Sequence, residues 1–195
     1  MESGVTYRLY YLFSIPKGEE EASMHLLAQR GETVLTTDFT MRSVIEDAPQ
    51  LQLGDSLLST DGYNVCVTDL FVTKKLEPSA PAGTYTYYIP EEEGEKLLVL
   101  RTDVPELSGE ESEMNLVMGA TLMDAQYGST PGQIVVEAFD GSNLAGFSTY
   151  YPISCNGTLY YLFDVTDEML EDGAYLLLYA HDVYYVLGLD GVSER

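Results

Sequence analysis

The sequence predicts an all-β protein folded as an antiparallel sandwich, and three observations carry that prediction. At least nine short runs of alternating apolar and polar residues follow one another with turn signals between them. Sixteen Tyr stand beside no Trp at all, and Tyr favours strands and half-wet surfaces. Apolar residues at helical spacing are scarce along the whole of the 195-residue chain. A domain of this length buries roughly 70% of the surface its unfolded chain exposes, so its core needs no staple.

The stretch Gly54 to Val72 is the centre of the pattern and reads as one hairpin. Leu57 and Leu58 end a short strand, Asp61-Gly62 suits a tight two-residue turn, and a long strand follows. On that strand Tyr63, Val65, Val67 and Phe71 share one face, while Asn64, Cys66 and Thr68 share the other. Asp69 is the polar member of the apolar face. It is expected at a bulge or at the sheet rim, because an unpaired carboxylate in a core costs roughly several kcal/mol in desolvation.

Ahead of this hairpin, Val5 to Ile15 alternates as a long first strand ended by Pro16. Residues 17 to 30 leave two readings open. Glu19 to Ala22, Met24, Leu26 and Leu27 are helix formers with Gly31 as a C-cap, while a strand from Ser23 to Gln29 competes. GETVLTTD from Gly31 to Asp38 echoes GDSLLSTD from Gly54 to Asp61 with four identities at an offset of 23 residues. No further copy appears, so the echo reads as similar turn chemistry ahead of the alternating runs Phe39 to Ile45 and Tyr63 to Val72. Residues 1–50 are expected to add strands to a main domain at 51–195, because the apolar face of Val5 to Ile15 has too few neighbours of its own.

After the hairpin, Lys74 to Lys96 is a long excursion with Pro78, Pro81 and Pro90 around the run Tyr85, Tyr87, Tyr88. Leu97 to Val104 is apolar on both faces and reads as an inner strand. Leu116 to Met123 and Gln133 to Phe139 are further strands, separated by a turn over Gly128 to Gly132. Asp140-Gly141-Ser142-Asn143 leads to a strand near Phe147 to Ser154, and Asn156-Gly157 is expected to turn it back into Thr158 to Val165. A single helical turn at Thr166 to Glu171 precedes a last pair, Ala174 to Ala180 and Val183 to Leu189, about His181-Asp182.

Nine Lys and Arg against 32 Asp and Glu give a net charge of −23. That balance makes nucleic acid and anionic lipid surfaces poor partners, since both are bound chiefly through basic residues. No apolar run has membrane-spanning length, and residues 1 to 20 lack the basic start and apolar block of a secretory signal. Cys66 and Cys155 stand 89 residues apart. Two thiols make no zinc site by themselves, and a Cys66–Cys155 disulfide competes with two free, partly buried thiols, the preferred reading.

Motifs of catalysis are missing. His25 and His181 lie far apart in sequence and outside any metal-binding motif, Gly146 to Tyr150 has Tyr where a nucleophile elbow needs Gly, and no phosphate loop occurs. Asp140 to Asn143 lacks the order of a calcium loop and reads as a hairpin loop. Asn156-Gly157-Thr158 matches a glycosylation triplet that the turn explains as well. No cofactor, metal or catalytic residue is expected. Tyrosine doublets, such as Tyr160-Tyr161 and Tyr184-Tyr185, each place one ring inward and one outward in a strand.

Three segments resemble an immunoglobulin-like β-sandwich family of unknown function found in secreted proteins and lipoproteins of Gram-positive bacteria. GDSLLSTDGYNVCVTDLFV is similar to its opening hairpin, EGEKLLVLRTDV to its inner strand, and GTLYYLFDVTDEM with GAYLLLY to its closing strands. The likeness spans roughly residues 54 to 187, and Asp103 to Ser108 departs from it where a polar turn with Asn belongs. The resemblance implies an immunoglobulin-like sandwich and an extracytoplasmic place, secreted or lipid-anchored. It transfers no functional residue.

The functional expectation is therefore a non-enzymatic interaction module that binds a protein, peptide or glycan. A hydrolase using a carboxylate pair, or a structural spacer of an envelope protein, are the alternatives. The binding residues are expected at Tyr85, Tyr87 and Tyr88, where prolines lower the ordering cost and three rings offer contact area. The competing reading folds the same loop back as a cover, with the rings buried.

Overall fold

The computed structural model describes residues 22–31, 33–39, 48–59, 62–107, 111–112, 118–124, 128–147, 153–181, 183–190 and 192–195. The chain divides into two compact units, Met1–Asp47 and Ala48–Arg195.

In the first unit, β1 (Met24–Arg30) and β2 (Thr33–Phe39) pair antiparallel and form a two-stranded sheet among the described residues. The strand reading of this stretch prevails over the helix: Met24 and Leu26 are half-buried while His25 and Leu27 are exposed, the period of two that a strand imposes. Gly31, at φ 61°, makes the hairpin turn instead of capping a helix. The echo between the two octapeptides is confined to their openings. Gly31 and Gly54 both take positive φ ahead of a strand, but Asp38 lies inside β2 opposite His25, whereas the second copy leaves its strand at Leu58. The strand expected at Val5 to Ile15, and most of that at Phe39 to Ile45, lie outside the described residues.

The second unit is an all-β sandwich. Its first sheet is built from β4 (Ser56–Leu58), β5 (Asn64–Thr73), β6 (Lys96–Asp103), β7 (Glu111–Ser112), β10 (Gln133–Ala138), β11 (Leu144–Gly146), β12 (Ile153–Val165) and β15 (Ser193–Glu194). Their order is β11-β10-β12-β6-β5-β15, with β4 on β5 and β7 on β12. The second sheet runs β3 (Gln50–Leu51), β14 (Val183–Gly188), β13 (Tyr175–Ala180), β8 (Gly119–Met123), β9 (Ser129–Pro131). Neighbours are antiparallel except β3 on β14 and β15 on β5, which are parallel. The short helix α1 (Asp167–Glu171) begins at Thr166, whose side chain accepts a bond from the Met169 amide at 3.3 Å, so the expected helical turn is present.

The inner apolar layer lies between the sheets. Val65, Val67, Leu70 and Val72 of β5, Leu98 and Leu100 of β6, and Tyr161 and Phe163 of β12 meet Leu122 of β8 and Leu176 and Leu178 of β13. Each such side chain contributes roughly 1.5–3 kcal/mol by leaving water. β6 is buried on both faces, as an inner strand must be, because a second apolar cluster occupies the opposite side of the first sheet.

Four expectations from the sequence are corrected. Phe71 does not share a face with Val65 and Val67. The register of β5 against β6 shifts between Val67 and Asp69, a bulge that brings Leu70 and Val72 inward and turns Phe71 outward. Asp69 accordingly stands at that bulge, where its Oδ1 accepts from the Leu70 amide at 3.0 Å and its Oδ2 binds Arg195 Nη2 at 2.6 Å. The β4–β5 loop is wider than a two-residue turn, since Leu58 pairs with Asn64 and the buried Ser59 closes it by accepting the Tyr63 amide at 2.9 Å.

Asn156-Gly157 makes no hairpin at all. β12 runs through it from Ile153 to Val165, with Gly157 at φ 86° and a register shift against β10 between Val136 and Ala138. The positive φ that a tight turn uses serves here to bend a long strand at a bulge. The segment Gly128 to Gly132, expected as a turn, holds β9, which pairs with β8. The chain then steps to the other sheet at Gly132, where a Cβ would lie 2.7 Å from Phe163 Cζ; a side chain there has no room.

A candidate binding surface on the covering loop

Residues 74–95, between β5 and β6, fold back over the outer face of the first sheet. Leu76 and Tyr88 exchange backbone bonds, Leu76 N–H to Tyr88 O at 2.9 Å and Tyr88 N–H to Leu76 O at 3.0 Å. Both side chains pack on the outer cluster of Phe71, Leu97, Val99, Val135, Tyr160 and Leu162. The loop is further tied by polar bonds to β10 and the turn after it. Glu137, 2% exposed, accepts the Ser79 amide at 2.7 Å. The Ala80 amide donates to Gly141 O at 2.9 Å, and the Thr86 amide to Asn143 Oδ1 at 2.7 Å.

That antiparallel bridge decides where each neighbouring side chain points. With Leu76 and Tyr88 turned inward, Lys75, Glu77, Tyr87 and Ile89 are turned outward. Tyr87 is 50% and Ile89 57% exposed. Lys75 Nζ lies 2.6 Å from Glu77 Oε1 and 4.4 Å from the centroid of the Tyr87 ring. The Tyr85 hydroxyl donates to the same Glu77 oxygen at 2.7 Å. These bonds raise the Lys75 ammonium above its ordinary range, hold the Glu77 carboxyl below its own, and raise the Tyr85 phenol.

Of the three tyrosines expected to bind, the structure therefore brings half-buried Tyr85 and exposed Tyr87 together about Lys75 and turns Tyr88 onto the outer cluster. Tyr88 is half-buried in the cover, and burial raises its phenol. Its ring is a structural contact, the fate foreseen for all three by the covering reading. Sequence reasoning missed Lys75 and Glu77. The signal was present in the alternation Lys75-Leu76-Glu77 facing Tyr87-Tyr88-Ile89, two period-two segments whose apolar centres pair.

A polar row lies on the same side of the first sheet. Arg101 Nη2 donates to Asp103 Oδ1 at 3.2 Å, and Thr158 Oγ1 to the same oxygen at 2.8 Å. Beside it Tyr160 has its phenol pushed up to about 12 by burial and by the carboxylate of Glu137. Two carboxylates of this face are engaged by neighbours, Asp103 by Arg101 and Thr158, and Glu137 by the Ser79 amide.

The remaining candidate groups are spread across the chain. Cys66 carries a free thiol, 3.8 Å from Gly54 O, on β5; β6 separates it from the β12 strand that bears Cys155. Two strand spacings of roughly 4.8 Å each lie between those two strands. His25 Nδ1 stands 2.6 Å from Asp38 Oδ1 across the exposed β1–β2 pair. His181 takes φ 45° in the β13–β14 turn. The Asp140 carboxylate caps its own loop by accepting the Ser142 amide at 3.0 Å. Among the described residues no three His, Cys, Asp or Glu gather as a metal site, and no helix is long and apolar enough to cross a membrane. Among the described residues the tyrosine doublets divide as alternation requires. Tyr161 is buried with its hydroxyl donating to Met118 O at 3.1 Å, and outward Tyr184 pairs with Tyr179 at 4.8 Å between ring centroids.

Comparison with known proteins supports this architecture. No family model and no curated protein matches the sequence. The chain is similar in structure to an uncharacterized beta-sandwich protein from Clostridium difficile 630, with a TM-score of 0.60 and 14% identity, over 73% of this chain and 94% of that one. At that identity the likeness is one of fold. The chain is a β-sandwich protein.

Proposed function

We propose that this chain is a non-enzymatic, exported interaction module that binds a protein, peptide or glycan through the outward row of its covering loop. The observation that carries this reading is a tyrosine surface on a loop that is already ordered. Leu76, Tyr88 and the Glu137–Ser79 bond fix the backbone, while Tyr87 is exposed and half-buried Tyr85 turns its hydroxyl to Glu77 in the outward row. A loop fixed in advance loses little entropy on binding, and tyrosine gives large amphipathic contact at low rotamer cost. On this reading the sandwich is of the immunoglobulin-like type, and the three segments that resemble exported domains support an extracytoplasmic place.

The test is a panel of peptides and glycans probed with the intact chain and with a Tyr85→Ala, Tyr87→Ala double variant. Loss of binding at unchanged thermal midpoint is the expected result. Binding that survives the double variant removes the surface from consideration, and turnover of any panel member by the wild type overturns the non-enzymatic reading. Fractionation of the source cells tests export, with the chain expected outside the cytoplasm.

A further inference from the structure

The outward row already holds an ammonium ion, its own. Lys75 Nζ is 4.4 Å from the Tyr87 ring centroid, 6.0 Å from that of Tyr85, and 2.6 Å from Glu77 Oε1. A carboxylate beside aromatic faces is the chemistry by which amines are recognised. Glu77 does not depend on the lysine for its position, because the Tyr85 hydroxyl holds the same oxygen at 2.7 Å. Lys75 is attached through a flexible stem, and both it and Glu77 keep 42% of their side-chain surface in water. Its ammonium can swing out while Leu76, the residue that anchors this strand of the loop, stays buried.

We propose that Glu77, Tyr85 and Tyr87 form an ammonium-binding cage, occupied in the resting protein by Lys75, and that its external ligand is a lysine side chain of a partner peptide. The inference rests on the outward row being the binding surface and names the chemistry that this surface recognises. Charge complementarity selects the ligand. A chain of net charge −23 draws cationic segments toward it and repels anionic ones, and exposed Glu91, Glu92 and Glu93 follow Ile89 after a single residue, Pro90. Ile89 itself, 57% exposed, offers apolar surface to the methylene stem of an incoming lysine. Lys75 acts as a tethered competitor. The apparent affinity for an outside amine is the intrinsic one reduced by the fraction of time the cage stands open.

The experiment titrates a short Gly-Lys-Gly peptide with blocked ends, and its Nε-acetylated counterpart, into the intact chain followed by NMR of the tyrosine rings. Lys75→Met is expected to bind the amine peptide about tenfold more tightly than the wild type, by removal of the resident competitor. The acetylated peptide is expected to bind neither protein, and Tyr87→Ala added to Lys75→Met to abolish binding. Equal affinity of Lys75→Met and wild type, or equal binding of the acetylated peptide, overturns the cage. If the cage fails but the Tyr85→Ala, Tyr87→Ala variant still loses a partner from the panel, the interaction surface stands without it. If that variant keeps the partner too, both fall.

Discussion

The two apolar layers of the larger unit are made by different means. The inner layer is strand against strand, with Leu98, Leu100, Tyr161 and Phe163 of one sheet meeting Leu122, Leu176 and Leu178 of the other. The outer layer is strand against loop: Phe71, Val99, Val135 and Tyr160 are roofed by Leu76 and Tyr88 from residues 74–95. A strand layer is fixed by many repeated ladder bonds, while the roof is fixed by one bridge, a buried carboxylate and a few amide bonds. A segment that reads as an insertion in sequence is thus half of a core, and the same fold-back that buries two residues presents four others.

This contrast can be broken by substitution. Leu100→Ala, in the inner layer, is expected to cost about 3 kcal/mol in urea unfolding, while Leu76→Ala in the roof costs about 2, because the loop can settle into part of the gap. Equal costs would show that the roof is as stiff as a strand. Gly132→Ala, where the new Cβ meets the Phe163 ring within 2.7 to 2.8 Å, should lose roughly 1–3 kcal/mol through overpacking, and a neutral result would show that the sheet crossing can shift.

Within the roof, Tyr88→Ala is expected to cost about 1–2 kcal/mol and Tyr87→Ala under about 0.5, read from the same unfolding curves. Reversal of that order would mean that the bridge points its side chains the other way. The alkaline limb of stability tests burial beneath the roof. From an ordinary phenol value of 10.0 up to about 12, the unfolded chain releases the Tyr160 proton while the fold retains it. Stability therefore falls as pH rises through that window, and below it the residue contributes no slope. Tyr160→Phe should flatten the fall by about one proton's worth of slope; an unchanged slope would show the phenol to be solvated. The smallest effect expected is that of Arg195→Ala, about 0.5 kcal/mol and less in high salt, since its pair with Asp69 is partly exposed.

Much of the fold was legible where burial is one-sided or complete. The inner strand Leu97 to Val104, the helical turn at Thr166 to Glu171 and the final hairpin about His181 were all legible from alternation and turn spacing. Glycine was read less well, because a positive φ has more than one use. Gly157 takes it to bulge a strand, Gly31 to turn a hairpin, and a local dipeptide does not say which neighbour strand will be present to enforce the difference. The pairings of β3 with β14 and of β15 with β5 were also missed, since two-residue strands carry no period and their partners lie more than a hundred residues away. Of the candidate surface, the tyrosines were visible as a composition. Lys75 and Glu77 were not, because only the bridge between Leu76 and Tyr88 brings them alongside.

Those two short parallel pairings have a mechanical meaning. Gln50–Leu51 lies on the edge of one sheet and Ser193–Glu194 on the edge of the other, so tension applied through the ends of Ala48–Arg195 pulls one sheet against its neighbour. Each end is held by a ladder two residues long, with Arg195 adding its pair to Asp69 and its stack 4.3 Å from the Phe71 ring. Under load these ladders peel first, paying out a few residues at roughly 3.4 Å apiece. The apolar layer between the sheets and the roofed face beyond it remain whole, so the tyrosine surface keeps its shape while the unit is being stretched.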